Sequence, residues 1–161
     1  MKSKYDFFEY LNDECIGLEL GVGNGIGTEN ILMSGKFSYV YSIDPYDSNT
    51  FDYVRTLIKL DKYKEKHSLF RIKPKFALDM FPGGFFNILI LNVQVNNIIE
   101  DWLSKMKPDG IILGDYLGEE AKYIESFCRT NRFVLHVVGK VWFIKLDETE
   151  SFAKMMGMLE L

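Results

Sequence analysis

The chain has little cysteine and histidine, and it has no long apolar run. Two cysteines, Cys15 and Cys128, lie far apart in its 161 residues, and there are two histidines. This pattern gives neither a disulfide framework nor the ligand spacing of a zinc site, so we expect buried thiols, a reducing cytoplasmic setting and no metal. The apolar runs have the length of strands, which argues against a membrane span, and the lysine-containing N-terminus lacks a signal-peptide core.

The chain is weakly acidic, with a formal net charge of −4, which does not favour a general polyanion binder. Residues 59–75 are an exception, because they carry seven Lys/Arg against two acids. This segment is compatible with a nucleic-acid-binding edge or with a solvated connection at the edge of a sheet. We favour the solvated connection and do not expect nucleic acid as a partner, because we identify no groove with interleaved aromatic residues.

The most informative segment is a strand that ends in a carboxylate, followed by a glycine-rich loop. The first apolar run ends near Glu19, and a glycine occupies every second position after it: Gly21, Gly23 and Gly25. Such glycines let the backbone turn sharply and let a ligand approach the main chain. A second apolar run, residues 39–43, is followed by Asp44, whose carboxylate can accept two hydrogen bonds from a ribose diol. Together they predict a nucleoside-containing cofactor at the carboxyl ends of two parallel strands.

The glycine spacing does not fit a dinucleotide, whose loop requires Gly-x-Gly-x-x-Gly or Ala. Ile26 and Thr28 occupy the position of the last small residue in the two possible registers. A pyrophosphate beside the Glu19 carboxylate would also be repelled by about 4 kcal/mol at a separation of 4 Å and an effective dielectric of 20. A ligand with an ammonium and a sulfonium would instead be attracted, and S-adenosylmethionine (SAM) is such a ligand.

At these motifs the chain resembles the class I SAM-dependent methyltransferases. Their acidic residue followed by Gly-x-Gly-x-Gly is similar to Glu19 and the glycines after it, and their second acidic residue is similar to Asp44. Their Leu-Lys-Pro-Gly-Gly pattern before the fifth strand looks like Met-Lys-Pro-Asp-Gly at residues 106–110. The resemblance extends over residues 15–146 and implies SAM as the cofactor and methyl transfer as the activity.

Strands and helices alternate along the chain as in a parallel sheet. We predict strands at residues 16–20, 39–43, 68–72, 85–91, 111–114, 133–138 and 141–146. We predict helices at residues 27–33, 49–60, 98–106 and 119–130, after a short amphipathic segment at 4–11. Only Gly139 and Lys140 join the last two strands, which must therefore form an antiparallel hairpin. The predicted fold is an α/β three-layer sandwich with a seven-stranded, mostly parallel sheet that ends in this hairpin.

We assign residues 1–146 to one SAM-binding, methyltransferase-like domain and residues 147–161 to a C-terminal tail. The tail carries apolar residues at helical spacing: Phe152, Met155, Met156 and Leu159. It would dock on the domain or pair protomers into a homo-oligomer. In the predicted helix 49–60, four apolar residues share one face: Phe51, Val54, Leu57 and Ile58.

The resemblance also assigns residues to the cofactor. They are Glu19, Gly21, Gly23, Asn24, Gly25, Asp44, Pro45 and Tyr46. The backbone of the glycine loop would approach the methionine portion, Glu19 would help to hold its ammonium, and Asp44 would accept the ribose hydroxyls. Pro45 and Tyr46 would flank the adenine, with Tyr46 either stacked on it or simply a surface aromatic.

The predicted catalytic residues end the fourth and fifth strands, where ligands bind in sheets of this kind. Asp115 is a candidate base or substrate contact, or else a turn or N-cap aspartate. Some small-molecule members of the family have an Asp after the fourth strand, and Asn92 departs from that pattern, which argues against a metal-assisted, catechol-type mechanism. Asn92 can orient a substrate but cannot act as a base. No Asn-Pro-Pro-Tyr follows the fourth strand, which argues against amino methylation of DNA bases. With few residues before the first strand, the site would be open, completed by a second protomer, or not catalytic.

The leading hypothesis is a methyltransferase that uses SAM and a small-molecule acceptor, with methyl transfer to oxygen or nitrogen. A non-catalytic cofactor-binding or interaction module of the same fold is one alternative. An RNA or DNA methyltransferase that uses residues 59–75 is another.

Overall fold

The computed structural model describes residues 3–94 and 97–148 of the chain. The strands are β1 (Cys15–Leu20), β2 (Phe37–Ile43), β3 (His67–Phe70), β4 (Phe86–Leu91), β5 (Met106–Asp115), β6 (His136–Val138) and β7 (Val141–Lys145). The α-helices are α1 (Ile26–Met33), α2 (Thr50–Leu60), α3 (Pro74–Ala77), α4 (Ile98–Trp102) and α5 (Gly118–Asn131). Short 3₁₀ helices lie at Lys4–Tyr10, Asp61–Tyr63, Leu78–Met80 and Leu103–Lys105.

The seven strands form one sheet in the order β3-β2-β1-β4-β5-β7-β6. Strands β1 to β5 pair in parallel, whereas β7 lies antiparallel between β5 and β6. The predicted sheet and its terminal hairpin are therefore confirmed. Because β1 pairs with both β2 and β4, the loops after these three strands meet at one edge of the sheet, where ligands bind in open α/β folds.

The core lies on both faces of the sheet, as a three-layer fold requires. Alternate residues of β4 point to opposite sides: Leu89 and Leu91 belong to one buried cluster, and Ile88 and Ile90 to the other. The first cluster includes residues of α4 and α5, and the second includes residues of α1 and the N-terminal 3₁₀ helix. Both clusters hold fully buried side chains, so each face of the sheet is covered.

The structure differs from the predicted boundaries mainly around β5. The predicted helix 98–106 is a single α-helical turn that continues as a 3₁₀ helix, and β5 already begins at Met106. Met106 pairs with Phe86 of β4, and both side chains are buried. Burial of Met106 at the sheet thus ends the helix before Pro108, and β5 becomes ten residues long.

Helix α2 presents its apolar stripe to solvent. The four residues that we placed on one face are 44–71% exposed: Phe51, Val54, Leu57 and Ile58. Thr56 and Leu60 are instead the buried residues of this helix, and both lie against Gly25. Helical periodicity located the stripe correctly, but it could not tell which side of α2 faces the sheet.

Both cysteines are free and buried, as predicted. Within residues 3–94 and 97–148, no helix has both the length and the apolarity needed to cross a bilayer. The predicted tail helix with Phe152 and its apolar neighbours lies outside the described residues.

Candidate functional site

The loop between β1 and α1 lies at the carboxyl edge of the sheet. Gly21 has a φ of +88°, and a Cβ at this position would lie 2.6 Å from Val93, so only glycine fits. Gly23 has a φ of +55°, but its Cβ position has no neighbouring atom within 4 Å. Gly25 adopts the left-handed conformation and caps α1, and Asn24 is exposed beside it. The space over Gly23 leaves the main chain open to a ligand.

Asp44 connects the end of β2 to the glycine loop. One oxygen, Oδ2, accepts hydrogen bonds from the backbone amides of Val22 (2.8 Å) and Gly23 (3.0 Å). The other oxygen accepts from the amide of Tyr46 at 2.8 Å. An ionised carboxylate has about four acceptor positions, so Asp44 retains capacity for a further donor.

The Glu19 side chain is fully buried beneath the loop. Its Oε2 accepts hydrogen bonds from Thr28 Oγ1 (2.6 Å) and Ser42 Oγ (2.9 Å), and its Oε1 accepts from Asn92 Nδ2 (3.0 Å). These contacts tie β1 to α1, to β2 and to the residue after β4. Glu19 therefore lies one layer below the surface of the cleft, and its effect on a bound cation would be through its charge.

Burial shifts the pKa values of two groups in this network in opposite directions. Loss of hydration raises the pKa of Glu19 to about 7, although its three hydrogen-bond donors and the charge of Lys4 act to lower that pKa. Loss of hydration also lowers the pKa of His67 to about 4. Ser42 Oγ lies 2.9 Å from His67 Nε2 and links the two groups across β1, β2 and β3. The charge of this network thus depends on pH and on any cation above it.

The two residues after Asp44, Pro45 and Tyr46, have different surroundings in the structure. Tyr46 is 5% exposed; its hydroxyl donates to the carbonyl of Gly23 at 2.8 Å, and its ring contacts that of Tyr53. A ring enclosed in this way fits neither of the two alternatives that we gave for Tyr46, a ring stacked on the adenine or a surface aromatic. Pro45 instead lines a cavity of about 370 Å³ together with Lys73, Pro74, Lys75, Ile98, Asp101 and others.

The N-terminal 3₁₀ helix covers part of the cleft. The Lys4 side chain is almost entirely buried, and its Nζ lies 2.6 Å from Oδ2 of Asp115 at the end of β5. A Cβ on Gly27 would clash with the Tyr5 hydroxyl, so this glycine makes room for the tyrosine. A seven-residue helix thus supplies the cover that the sequence analysis did not find.

Two further cavities adjoin at Asn92. The first, which we call the cofactor cleft because residues predicted to bind the cofactor line it, measures about 360 Å³; its lining is Tyr5, Gly21, Val22, Gly23, Gly27, Asp44, Asn92 and Val93. The second, which we call the acceptor cleft because both predicted catalytic residues line it, measures about 440 Å³; its lining is Leu91, Asn92, Gln94, Asp115, Leu117, Gly118, Glu119 and Glu120. Asn92 also donates to the carbonyl of Gly21 at 2.8 Å and so fixes the boundary between the clefts. The structure therefore places the two predicted catalytic residues, Asn92 and Asp115, on one cleft.

Several residues of the site were missed from the sequence. Thr28 and Ser42 are ordinary polar residues in an apolar context, and Lys4 and Tyr5 are more than a hundred residues from Asp115. Asp101 carried a signal that could have been used, since it is an acid in the first turn of a helix at the carboxyl edge. In the structure Asp101 and Pro45 line the same cavity.

The strand order, the antiparallel β7 and the acidic glycine loop define the class I SAM-dependent methyltransferase fold. Solved structures with this fold match the chain over most of its length. An rRNA methylase from Streptococcus thermophilus has a TM-score of 0.66 at 18% identity, with 88% of this chain and 92% of that chain covered. A proposed caffeoyl-CoA O-methyltransferase from Staphylococcus aureus has a TM-score of 0.71 at 12% identity, with coverages of 88% and 80%.

An SAH-bound methyltransferase from Podospora anserina also matches, with a TM-score of 0.65 at 13% identity and coverages of 81% and 70%. No protein-family model matches the chain, and no curated protein matches it in sequence. These three neighbours are described as methyltransferases, and the two acceptors that their descriptions name, rRNA and caffeoyl-CoA, differ. Similarity at these identities establishes the fold and leaves the acceptor to the site.

Proposed function

We propose that the chain is a SAM-dependent methyltransferase that transfers a methyl group to an oxygen or nitrogen of a small molecule. The observation that carries the proposal is the pair of clefts that meet at Asn92. One is bordered by the glycine loop and Asp44, and the other by Asp115. A cofactor in the first cleft and an acceptor in the second would face each other across this residue.

The residues of the cofactor cleft fit SAM. The open space over Gly23 accommodates a ligand against the main chain. Asp44 can accept a ribose hydroxyl in addition to its three backbone donors. The buried Glu19 has a pKa of about 7, which a bound cation above the loop would lower. In its ionised form Glu19 favours an ammonium and disfavours a pyrophosphate. We assign the adenine to the cavity beside Pro45, where Asp101 could accept a hydrogen bond from its amino group.

When bound, SAM supplies a methyl group that is already activated by the positive sulfur. The protein then has to hold the acceptor atom in line and remove its proton. Asp115 is 43% exposed on the acceptor cleft, and Lys4 uses one of its acceptor positions, so another can take that proton. Asn92 orients the acceptor, while its own amide group is held by Glu19 and Gly21.

A non-catalytic module of the same fold is the second candidate. The ion pair between Lys4 and Asp115 favours it, because a base held by a lysine is less available to an acceptor. Both candidates would bind the cofactor, so only a measurement of methyl-transfer turnover distinguishes the enzyme from the non-catalytic module.

Calorimetric titration with SAM, SAH and NAD tests the cofactor assignment. We expect the first two to bind and NAD to give no signal, because the glycine spacing and Glu19 disfavour a dinucleotide. Asp44→Ala should weaken SAM binding at least tenfold, whereas Asp79→Ala, an exposed acid outside the three clefts, should bind normally. Unchanged binding by Asp44→Ala would refute the ribose assignment.

Asp115→Ala should keep SAM binding and lose turnover of any acceptor found by screening.

A further inference from the structure

One edge of the molecule concentrates positive charge. Residues 51–76 form α2, the turn after it, β3 and the start of α3, and we call them the basic edge. They carry eight Lys/Arg against three Asp/Glu, whereas the rest of the chain carries eleven against twenty. Since β3 is the outermost strand of the sheet, this positive charge is concentrated at one side of the molecule.

Most of these cations have no carboxylate partner. Among the residues that the structure describes, only Lys62 of the basic edge pairs with an acid, Glu29, at 2.6 Å. Lys59 and Lys66 donate to main-chain carbonyls, which orient the ammonium groups without neutralising them. Arg71 likewise donates to the Thr50 hydroxyl at 2.9 Å. The positive charge is therefore available to an anionic partner.

Aromatic rings accompany the cations on the basic edge. Arg55 lies over the ring of Phe51 (5.3 Å) and Lys75 over that of Phe76 (4.9 Å). Tyr53 and Tyr63 make similar contacts with Arg71, Lys62 and Lys66, so five of the six such contacts in the described residues lie here. Phe51 and Phe76 are 69% and 62% exposed. Aromatic residues thus interleave the charge, which the sequence analysis did not recognise.

We propose that the basic edge binds single-stranded nucleic acid. Unpaired cations attract the phosphates, and exposed rings beside them provide surfaces on which unpaired bases stack, a combination that duplex DNA cannot use because its base faces are covered. The basic edge ends at Lys73 and Lys75, which line the cavity beside Pro45, so a bound strand would reach the cavity to which we assign the adenine. Binding at this surface does not depend on the proposed function, because it needs neither cofactor nor turnover.

Fluorescence anisotropy with a labelled 12-nucleotide strand, as RNA and as DNA, tests the proposal against the matched duplex. We expect both single strands to bind in preference to the duplex. The slope of log affinity against log salt should be about −4, for roughly six phosphates neutralised on a single strand. Preference for RNA would indicate contacts to the 2′-hydroxyl, and equal binding would indicate contacts to phosphates and bases alone; either result supports the surface.

Charge variants locate the binding surface. The triple variant Arg55→Gln, Lys64→Gln, Arg71→Gln should weaken binding at least tenfold and reduce the salt slope by about 2. A control triple variant removes the same charge from exposed positions elsewhere: Lys122→Gln, Arg129→Gln and Lys140→Gln. Equal losses of affinity in the two triple variants would overturn the proposal. They would show that the nucleic acid is attracted to positive charge anywhere on the surface and not to the basic edge in particular.

Aromatic variants test stacking. Phe51→Ala should weaken binding about fivefold or more, and Phe51→Trp should restore it. Ile58→Ala removes a neighbouring apolar group of α2 that is 71% exposed, and it should leave binding unchanged. Absence of single-strand binding at 50 mM salt, together with self-association that Ile58→Ala abolishes, would overturn the proposal and identify α2 as a protein interface. SAM titration of the same samples reports separately on the proposed function.

Discussion

Glu19 and His67 show how burial changes single residues of the site. Glu19 has an ordinary pKa of 4.5 and a folded pKa of about 7, so between these values the folded chain holds the extra proton. Its contribution to stability is present below pH 4.5 and is lost as the pH rises to 7. The pKa of His67 falls from 6.5 to about 4 on folding. Its contribution to stability is therefore present above pH 6.5 and is lost as the pH falls to 4.

The two contributions oppose each other between pH 4.5 and 6.5, and single variants should separate them. We expect Glu19→Gln to gain about 3 kcal/mol of unfolding free energy relative to wild type as the pH rises from 4.5 to 7. His67→Gln should lose a similar amount relative to wild type as the pH rises from 4 to 6.5, because the histidine's own gain is removed. Urea unfolding across this pH range measures both differences. Parallel curves for wild type and Glu19→Gln would contradict the raised pKa.

At the scale of elements, one ion pair, between Lys4 and Asp115, joins the N-terminal 3₁₀ helix to the end of β5. Lys4→Met keeps the apolar stem of the side chain and removes its charge. Because Asp115 is 43% exposed, the pair should stabilise the fold by about 1 kcal/mol or less. The variant should therefore unfold at nearly the wild-type urea concentration while it binds the cationic SAM more tightly.

Lys36→Met is the matched control, since Lys36 pairs with the exposed Asp13 at 2.9 Å, away from both clefts. It should change neither stability nor SAM affinity appreciably. A loss of 3 kcal/mol or more in Lys4→Met alone would contradict the small contribution that we assign to this ion pair.

The contact between β5 and β7 is a second test at the scale of elements. A Cβ on Gly114 would lie 2.9–3.0 Å from the buried ring of Trp142, its partner on β7. Gly114→Ala should therefore destabilise the domain by about 1–3 kcal/mol through overpacking. In Gly114→Ala/Trp142→Phe the smaller ring should recover part of this loss. Additive effects of the two changes in thermal unfolding would contradict the contact.

At the scale of the whole molecule, the cofactor cleft joins elements that are distant in sequence. Its lining comes from the N-terminal helix, the loop after β1, the end of β2 and the residues after β4. A ligand that binds only this arrangement should stabilise the whole domain. At one hundred times its Kd, SAM should add about 2.7 kcal/mol and raise the melting temperature by about 5–10 °C.

Scanning calorimetry in the presence of SAM, SAH or NAD measures this shift. NAD at the same concentration should leave the transition where it is, and Asp44→Ala should show little shift with SAM. A shift with NAD equal to that with SAM would contradict the selectivity that we assign to Glu19.

The sequence by itself determined the alternation of strands and helices, the terminal hairpin and the carboxyl edge with Asp44 and the glycine loop. These features depend on short-range causes: apolar periodicity, the two-residue turn at Gly139 and Lys140, and backbone conformations that suit glycine. The same causes placed Asn92 and Asp115 at the ends of β4 and β5, which the sheet then brings to one cleft.

Only the tertiary structure decided which side chains contact each other and which are removed from water. The ion pair of Lys4 with Asp115 spans 111 residues, and no local pattern encodes such a contact. The raised pKa of Glu19 depends on its burial among segments distant in sequence, which include those that carry Thr28, Ser42 and Asn92. The exposure of the α2 stripe likewise depends on how α2 packs in the folded chain. Hydration and charge are set by what surrounds a side chain in space, so these properties emerge only when the chain has folded.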